Sequence, residues 1–265
     1  MPNLSSKVVI VTGASRGIGE AIARRFAADG AAVAVTARTV EEGDHPLPGS
    51  LAATVAAINA EGGTALAVAA DLGRAEDRAR LVDTVTREFG PVDVLVNNAA
   101  VTYFEPVAEF AENHYHLMFE VQVRAPFDLA QRVLPAMRER RSGWILNISS
   151  PAAIHPQGPP YPGTMPGGTV YGMCKAALER FTTGLAAEVY DDGIAVNVLS
   201  PSGLVPTPGV VHHHLDEMIP EEMHEPAAYM AEASHALCTG DPATLTGRIA
   251  FSRTLLDEFG IDLPN

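Results

Sequence analysis

Cysteine is scarce in this chain of 265 residues: there are two, Cys174 and Cys238, and neither belongs to a CxxC pair. That excludes a disulfide-built scaffold and a structural zinc site made of thiolates. Positive charge is also short, with 18 Lys and Arg against 32 Asp and Glu and a formal net charge of −14. Such a chain is not drawn to nucleic acid or to anionic membrane surfaces at long range, although solubility alone also accounts for its acidity. Long apolar runs are missing as well. The first run, Val8–Val11 in MPNLSSKVVIVTG, ends before it could serve as a signal peptide or membrane span. No repeat or low-complexity tract appears, and the expectation is a soluble, cytoplasmic protein.

What is present is a substantial core, since 47% of the residues are hydrophobic, enough for one domain over residues 1–265. Short Val- and Ile-rich runs alternate with longer amphipathic stretches. The predicted strands are Val8–Val11, Ala32–Thr36, Thr64–Ala69, Val92–Val96, Trp144–Ile148, Ala195–Leu199 and Ile249–Phe251. Helices are predicted over 18–29, 51–60, 74–89, 112–140, 170–190 and 227–238, with a bend where Pro126 and Pro135 interrupt the fourth. This alternation predicts an α/β fold: a Rossmann-like, doubly wound parallel sheet of about seven strands with helices on both faces.

Three Pro- and Gly-rich stretches break the rhythm, at 41–50, 151–168 and 201–226. All three follow the carboxyl ends of strands, where open α/β sheets bind ligands. The first is read equally well as a tolerated surface insertion. The third is read as a substrate lid. It carries His212, His213 and His214, but consecutive residues on a regular element cannot all face one ion, so no metal site is expected. His155 is a candidate polar group of the pocket, or loop surface.

TGASRGIG at 12–19 joins the first strand to the first helix. Gly13 permits the tight turn, Gly17 lets the backbone approach a pyrophosphate, and Gly19 lets the helix pack closely, with the helix amino end facing the anion. At the end of the second strand an acid would hold the ribose of NAD. This chain has Ala37 and Arg38 there instead, and Arg16 lies inside the glycine loop. Two arginines and no carboxylate favour NADP, with NAD possible if Arg38 only hydrates the surface beside Glu41 and Glu42.

Tyr171 and Lys175, four residues apart in YGMCK, share one helical face. A cation about 4 Å from the phenol, at an effective dielectric near 20, favours phenolate by about 4 kcal/mol, or about three pKa units. That would let one group serve as base for alcohol oxidation and as acid for carbonyl reduction. Tyr161 competes weakly, because Met165 stands four residues after it instead of a lysine.

Taken in order, TGASRGIG, Asp71-Leu72, NNAA at 97–100, NISS at 147–150, YGMCK and NVLSPSGLVPT at 197–207 resemble the short-chain dehydrogenases/reductases in their compact single-domain form. The resemblance runs from about Lys7 to about Gly247. It implies a nicotinamide cofactor, a small alcohol or carbonyl substrate and a homodimer or homotetramer. It makes Tyr171 the acid/base, Lys175 its electrostatic partner and ribose ligand, and Ser150 the hydroxyl that orients the substrate oxygen. Strand alternation leaves the neighbouring Ser149 a structural part. The implied cofactor contacts are Gly13, Ser15, Arg16, Gly17, Ile18 and Gly19 of the loop, with Arg38, Asp71 and Leu72 at the adenosine. Asn98 lines the cofactor turn and Thr207 reaches the nicotinamide amide or pyrophosphate, while Asn97 braces the sheet.

The chain departs from the family pattern at Ala100, at Gln122, in a lengthened Ser150–Tyr171 spacing, and in PSGLVPT, one residue longer than usual. Gln122 stands where many members have an asparagine that helps hold a proton-relay water. The reading that follows is an NADP-preferring oxidoreductase of a largely apolar substrate, met by Val101, Phe104, Ile154, Leu204, Val205, Val210 and Met218. A non-catalytic NADP(H)-binding redox sensor is the alternative. A sugar-nucleotide epimerase or dehydratase fits less well, for want of a larger carboxyl-terminal domain.

Overall fold

The computed structural model describes residues 3–161, 165–212 and 214–262. Its strands are Val8–Thr12 (β1), Ala32–Ala37 (β2), Thr64–Ala69 (β3), Val94–Asn97 (β4), Gly143–Ile148 (β5), Ile194–Ser200 (β6) and Ile249–Phe251 (β7). They form one sheet in the order β3-β2-β1-β4-β5-β6-β7, and every adjacent pair is parallel. The order reverses beside β1, which opens a crevice at the carboxyl edge between β1 and β4.

The helices are Gly17–Ala28 (α1), Leu51–Ala60 (α2), Ala75–Phe89 (α3), Glu112–Phe119 (α4), Ala125–Arg140 (α5), Thr169–Glu188 (α6), Pro208–His212 (α7), Ala227–Thr239 (α8) and Ser252–Phe259 (α9). Alternate strand residues feed two cores. Val9, Val11, Val33 and Val35 pack with Phe26 of α1, Leu237 of α8 and Leu255 of α9. Val8, Ile10 and Leu95 pack with Leu81 of α3, Leu129 of α5 and Leu185 of α6. With both faces covered, β1, β4 and β6 are buried at every position, which is why they read as unbroken apolar runs.

Three departures from expectation matter. The stretch 112–140 is two helices joined by a π turn at Glu120–Arg124, and Pro135 lies within α5 without ending it. Pro126 explains the break: it has no N–H to give the carbonyl four residues back, at Gln122. The fourth strand begins at Val94, not Val92, because Asp93 sits just before it with its carboxylate accepting the Val8 amide at 2.9 Å. Finally, the chain after β7 forms α9, an amphipathic helix of 8 residues that buries Leu255 and Leu256 and closes on Gly260 at φ +61°.

Candidate functional site

The glycine turn between β1 and α1 is closed by backbone that only glycine permits. Gly13 and Gly17 hold φ of +66° and +62°. A Cβ on Gly13 would stand 2.8 Å from the Ala99 Cα, and one on Gly17 would stand 2.9 Å from the Thr207 Cγ2. Gly19 faces the Gly13 carbonyl and the Asn98 side chain, so it tightens the turn itself. Asn98 donates from Nδ2 to the carbonyls of Thr12 and Gly13 at 2.8 and 3.1 Å, fixing the turn from β4. Asn97 Nδ2 donates to Asn147 Oδ1, and Asn147 Nδ2 to Thr182 Oγ1, both at 2.8 Å. That chain ties β4, β5 and α6 together, as its place in the sequence predicts.

Along the carboxyl edge runs a cleft of about 1270 Å³, lined by Gly13, Ser15, Arg16, Gly17 and Ile18 of the turn and by Arg38, Asp71, Leu72 and Asn98 around it. Asp71 accepts the Gly73 amide at 3.0 Å, which shapes the rim. Arg38 is exposed at the end of β2. Arg16 is used differently from expectation. Its Nε donates to Pro48 O and its Nη2 to Gly49 O, both at 2.8 Å, so most of the guanidinium is spent on backbone carbonyls of the loop before α2. Thr207 accepts the Val210 amide at 3.3 Å and so caps α7, with its methyl toward Gly17.

Farther along the cleft lie Ser150, Tyr171 and Lys175, brought together from the end of β5 and the start of α6. The Ser150 hydroxyl lies close enough to the Tyr171 phenol to favour its ionised form. Lys175 is buried, donates to the Ile148 carbonyl at 2.9 Å, and lies 5.5 Å from the Tyr171 ring centre. Phe104 meets the Tyr171 ring edge-on at 5.9 Å. Ser149 points away and donates to Glu179 at 2.8 Å, so strand alternation separates the two serines as predicted.

The electrostatics differ from the simple pair picture. Burial pushes the Tyr171 phenol above its ordinary value, the Ser150 hydrogen bond pulls against it, and the neighbouring Cys174 adds to the rise. Burial also brings Lys175 down to about 8, against weaker upward pulls from Cys174 and Glu179. The expected depression of the tyrosine is therefore not what these surroundings produce. The ammonium is turned to a carbonyl, and desolvation outweighs its charge.

Gln122 does not line the cleft. It sits in the π turn, 1% exposed, and donates from Nε2 to the Val101 carbonyl at 2.8 Å, bracing a residue that does. Val101, Phe104, Ile154, Leu204, Val205 and Val210 all line the cleft, as do His155 and Met165, whereas Tyr161 is exposed outside it. His213 and the side chain of Met218 lie outside the described residues. The lining residues missed in the sequence include His45 and Leu47 of the loop after β2, and Leu117 and Val121 beyond β4. The one available cue was that the loop of His45 and Leu47 leaves the carboxyl end of β2.

Fold and cleft together define a dinucleotide-binding α/β protein, and comparison with known proteins narrows this. A family model described as short chain dehydrogenase matches residues 7–216. An uncharacterized oxidoreductase of Methylorubrum extorquens is 37% identical over 251 residues, covering 95% of this chain and 92% of that protein. Dehydrogenase/reductase SDR family member 4 of Sus scrofa is 35% identical over 249 residues, covering 94% and 81%. A solved structure of a metagenomic short-chain oxidoreductase in complex with NADP is similar at a TM-score of 0.76 and 30% identity, covering 93% of this chain and 97% of that one. The chain belongs to the short-chain dehydrogenase/reductase family and is an oxidoreductase of that family. The glycine cradle, which a single Cβ would obstruct, fits the nicotinamide dinucleotide that such proteins use.

Proposed function

We propose that this oxidoreductase interconverts a small or medium, largely apolar alcohol and its carbonyl counterpart, with NADP preferred over NAD. The bound nicotinamide supplies or accepts hydride, and the chain's residues manage the proton. Tyr171 is the acid/base at the substrate oxygen. Ser150 donates to that oxygen and fixes it beside the phenol. Lys175 supports the tyrosine and the ribose. The observation that carries this reading is the convergence of Ser150, Tyr171 and the buried Lys175 in one cleft with the glycine cradle. Burial favours the phenol, which is the form that gives a proton to a carbonyl oxygen during reduction.

Gln122 contributes through position. Its side-chain amide holds Val101 against the cleft, and its backbone carbonyl, in the π turn, is the group assigned to a proton relay. The absence of a carboxylate after Ala37 and the exposed Arg38 support NADP, as does the NADP in the metagenomic relative. A homodimer or homotetramer is the assembly this reading carries.

The test is Tyr171→Phe, assayed by cofactor absorbance across a panel of alcohols and carbonyl compounds and by cofactor titration. Binding should persist while turnover falls about a hundredfold or more. Undiminished turnover would overturn the assignment, and binding without turnover by the unaltered protein across the panel would favour the redox sensor.

A further inference from the structure

The loop between β2 and α2 has the composition of a surface insertion, yet it is fastened to the nucleotide cleft. Besides its bonds to Pro48 and Gly49, Arg16 reaches Leu47 O and Thr39 Oγ1, both at 3.3 Å. Gly49 holds φ +98°, and a Cβ there would stand 2.6 Å from the Ser15 carbonyl, so the loop lies directly on the glycine turn. Two of the loop's three acids are turned onto backbone. Glu42 accepts the Gly49 amide at 3.0 Å, and Asp44 accepts the amides of Val40 and Glu41 at 3.1 and 2.9 Å. What the loop presents to the cleft is His45, beside Arg38 and Thr39.

The ring of His45 is oriented. Its Nδ1 accepts the Leu47 amide at 3.1 Å, so in the neutral form the ring proton sits on Nε2, the nitrogen left to meet a ligand. Arg16 at the start of α1, Arg38 at the end of β2 and His212 of α7 act on it, and Glu41 is the exposed acid of its own loop. Burial first, then Arg16, Arg38 and His212, hold His45 below the ordinary histidine value. Arg16 is lowered by burial and by Arg38, with Glu42 pulling it up. Positive groups thus converge at the adenosine end of the cleft, while the carboxylates of Glu42 and Asp44 are committed to backbone amides and that of Glu41 is exposed.

We propose that His45 is a ligand of the 2′-phosphate of NADP and is protonated when that phosphate is bound, so that NADP binding takes up a proton and selectivity over NAD tightens as pH falls. This rests on the NADP reading above. Arg16 then serves chiefly as the positioning residue that holds the loop, and Arg38 as the permanent charge. The sign follows from linkage. A dianion among these cations raises the His45 pKa from its depressed starting point, so NADP binds better as pH falls through the raised value. The phosphate's own protonation, with a pKa of about 6, works the opposite way and is common to every variant.

The experiment is calorimetric titration of NADPH and of NADH into the unaltered protein, His45→Asn and His45→Arg, at about pH 8 and about pH 6.5, in buffers of differing ionisation enthalpy. Asparagine can still accept the Leu47 amide but carries no charge. Its NADPH affinity should fall about tenfold at the lower pH, as for loss of a charge-assisted hydrogen bond, with NADH unchanged. The unaltered protein should take up protons with NADPH and not with NADH, and His45→Arg should bind NADPH tightly without that uptake. If NADPH is preferred but His45→Asn matches the unaltered protein in affinity and proton uptake, the role of His45 is overturned and the NADP reading stands. If NADH binds as well as NADPH at both pH values, both fall.

Discussion

Arg78 offers a quantitative test of how the cofactor rim is held. It is 2% exposed, yet its guanidinium donates to Asp128 Oδ2, Glu120 Oε1 and the Leu72 carbonyl, each at 2.7 Å. One side chain therefore joins α3 to the Leu72 rim, to the π turn that carries Gln122, and to α5. Arg78→Leu would strand a buried carboxylate and a buried carbonyl. Breaking a buried pair costs about 3–5 kcal/mol. Two features place this case at the lower end: Arg132 remains 3.3 Å from Asp128, and the Glu120 side chain is 38% exposed, so solvent screens its share. A loss of about 3 kcal/mol corresponds to a fall in Tm of about 6–12 °C for a domain of this size. Thermal unfolding measures it, and a dinucleotide titration should show weakened binding because Leu72 loses its anchor. Asp128→Leu in the same chain should restore part of the stability, since the stranded charge is gone. Burial pushes the Asp128 carboxyl up, but hydrogen bonds to Arg78 and Arg132 outweigh it and leave the group below its ordinary value. A depressed carboxyl contributes stability above its unfolded pKa and loses it as pH falls through the folded one, so the gap between wild type and Arg78→Leu must narrow in acid. A loss under about 1 kcal/mol at neutral pH, or a gap indifferent to acid, refutes the reasoning.

Two further outcomes follow from the site. Lys175→Met should abolish most turnover yet leave thermal stability at pH 7 nearly intact. Burying the ammonium, with its pKa brought to about 8, opposes folding by about 3 kcal/mol, which offsets the lost bond to Ile148. Because the folded pKa lies below the unfolded one, wild-type stability should gain on that of Lys175→Met as pH rises from about 8 towards about 10, which urea unfolding would record. Gly17→Ala should weaken dinucleotide binding about tenfold or more, since its methyl would meet Thr207 and its φ of +62° disfavours a side chain. Adding Thr207→Ser, which removes the offending Cγ2, should recover part of that affinity in the same titration.

The strand ends, the glycine turn and the Ser150–Tyr171–Lys175 cluster were legible because alternation and chain order place them at one edge of the sheet. Alternation required only that one of Ser149 and Ser150 be structural; the family resemblance chose Ser149 and placed Asn97 in the framework, where they bond to Glu179 and Asn147. The tyrosine electrostatics were not legible. Two charges at a helical spacing can be summed on paper, but the competing Ile148 carbonyl and the depth of burial exist only in the folded chain. The service of Arg16 to the 47–49 carbonyls was hidden for a similar reason, since loop geometry decides what a guanidinium meets. The π turn came from a residue that was noticed, Pro126, acting four positions upstream of itself. The terminal α9 was overlooked because eight residues read as a tail until their partners in α8 are known.

The excursion between β6 and α8 is tied at its neck. Leu204 and His224 pair as a bridge, Glu225 N donates to Leu204 O at 2.8 Å, and the buried Glu225 carboxylate accepts from Ser252 at 2.6 Å and from the amides of Ser202 and Gly203 at 3.3 and 3.2 Å. The hoop from Val205 to Met223 thus hangs from a knot that belongs to the scaffold. Thr207, near its start, packs against Gly17 and belongs to the cofactor cradle, so a hoop of different length or chemistry would have to be spliced in beyond that residue to leave β7, α9 and the cradle undisturbed. The cleft wall beyond Thr207 is thus built as a replaceable part, one that hoops grafted from relatives could exchange while the knot stays in place.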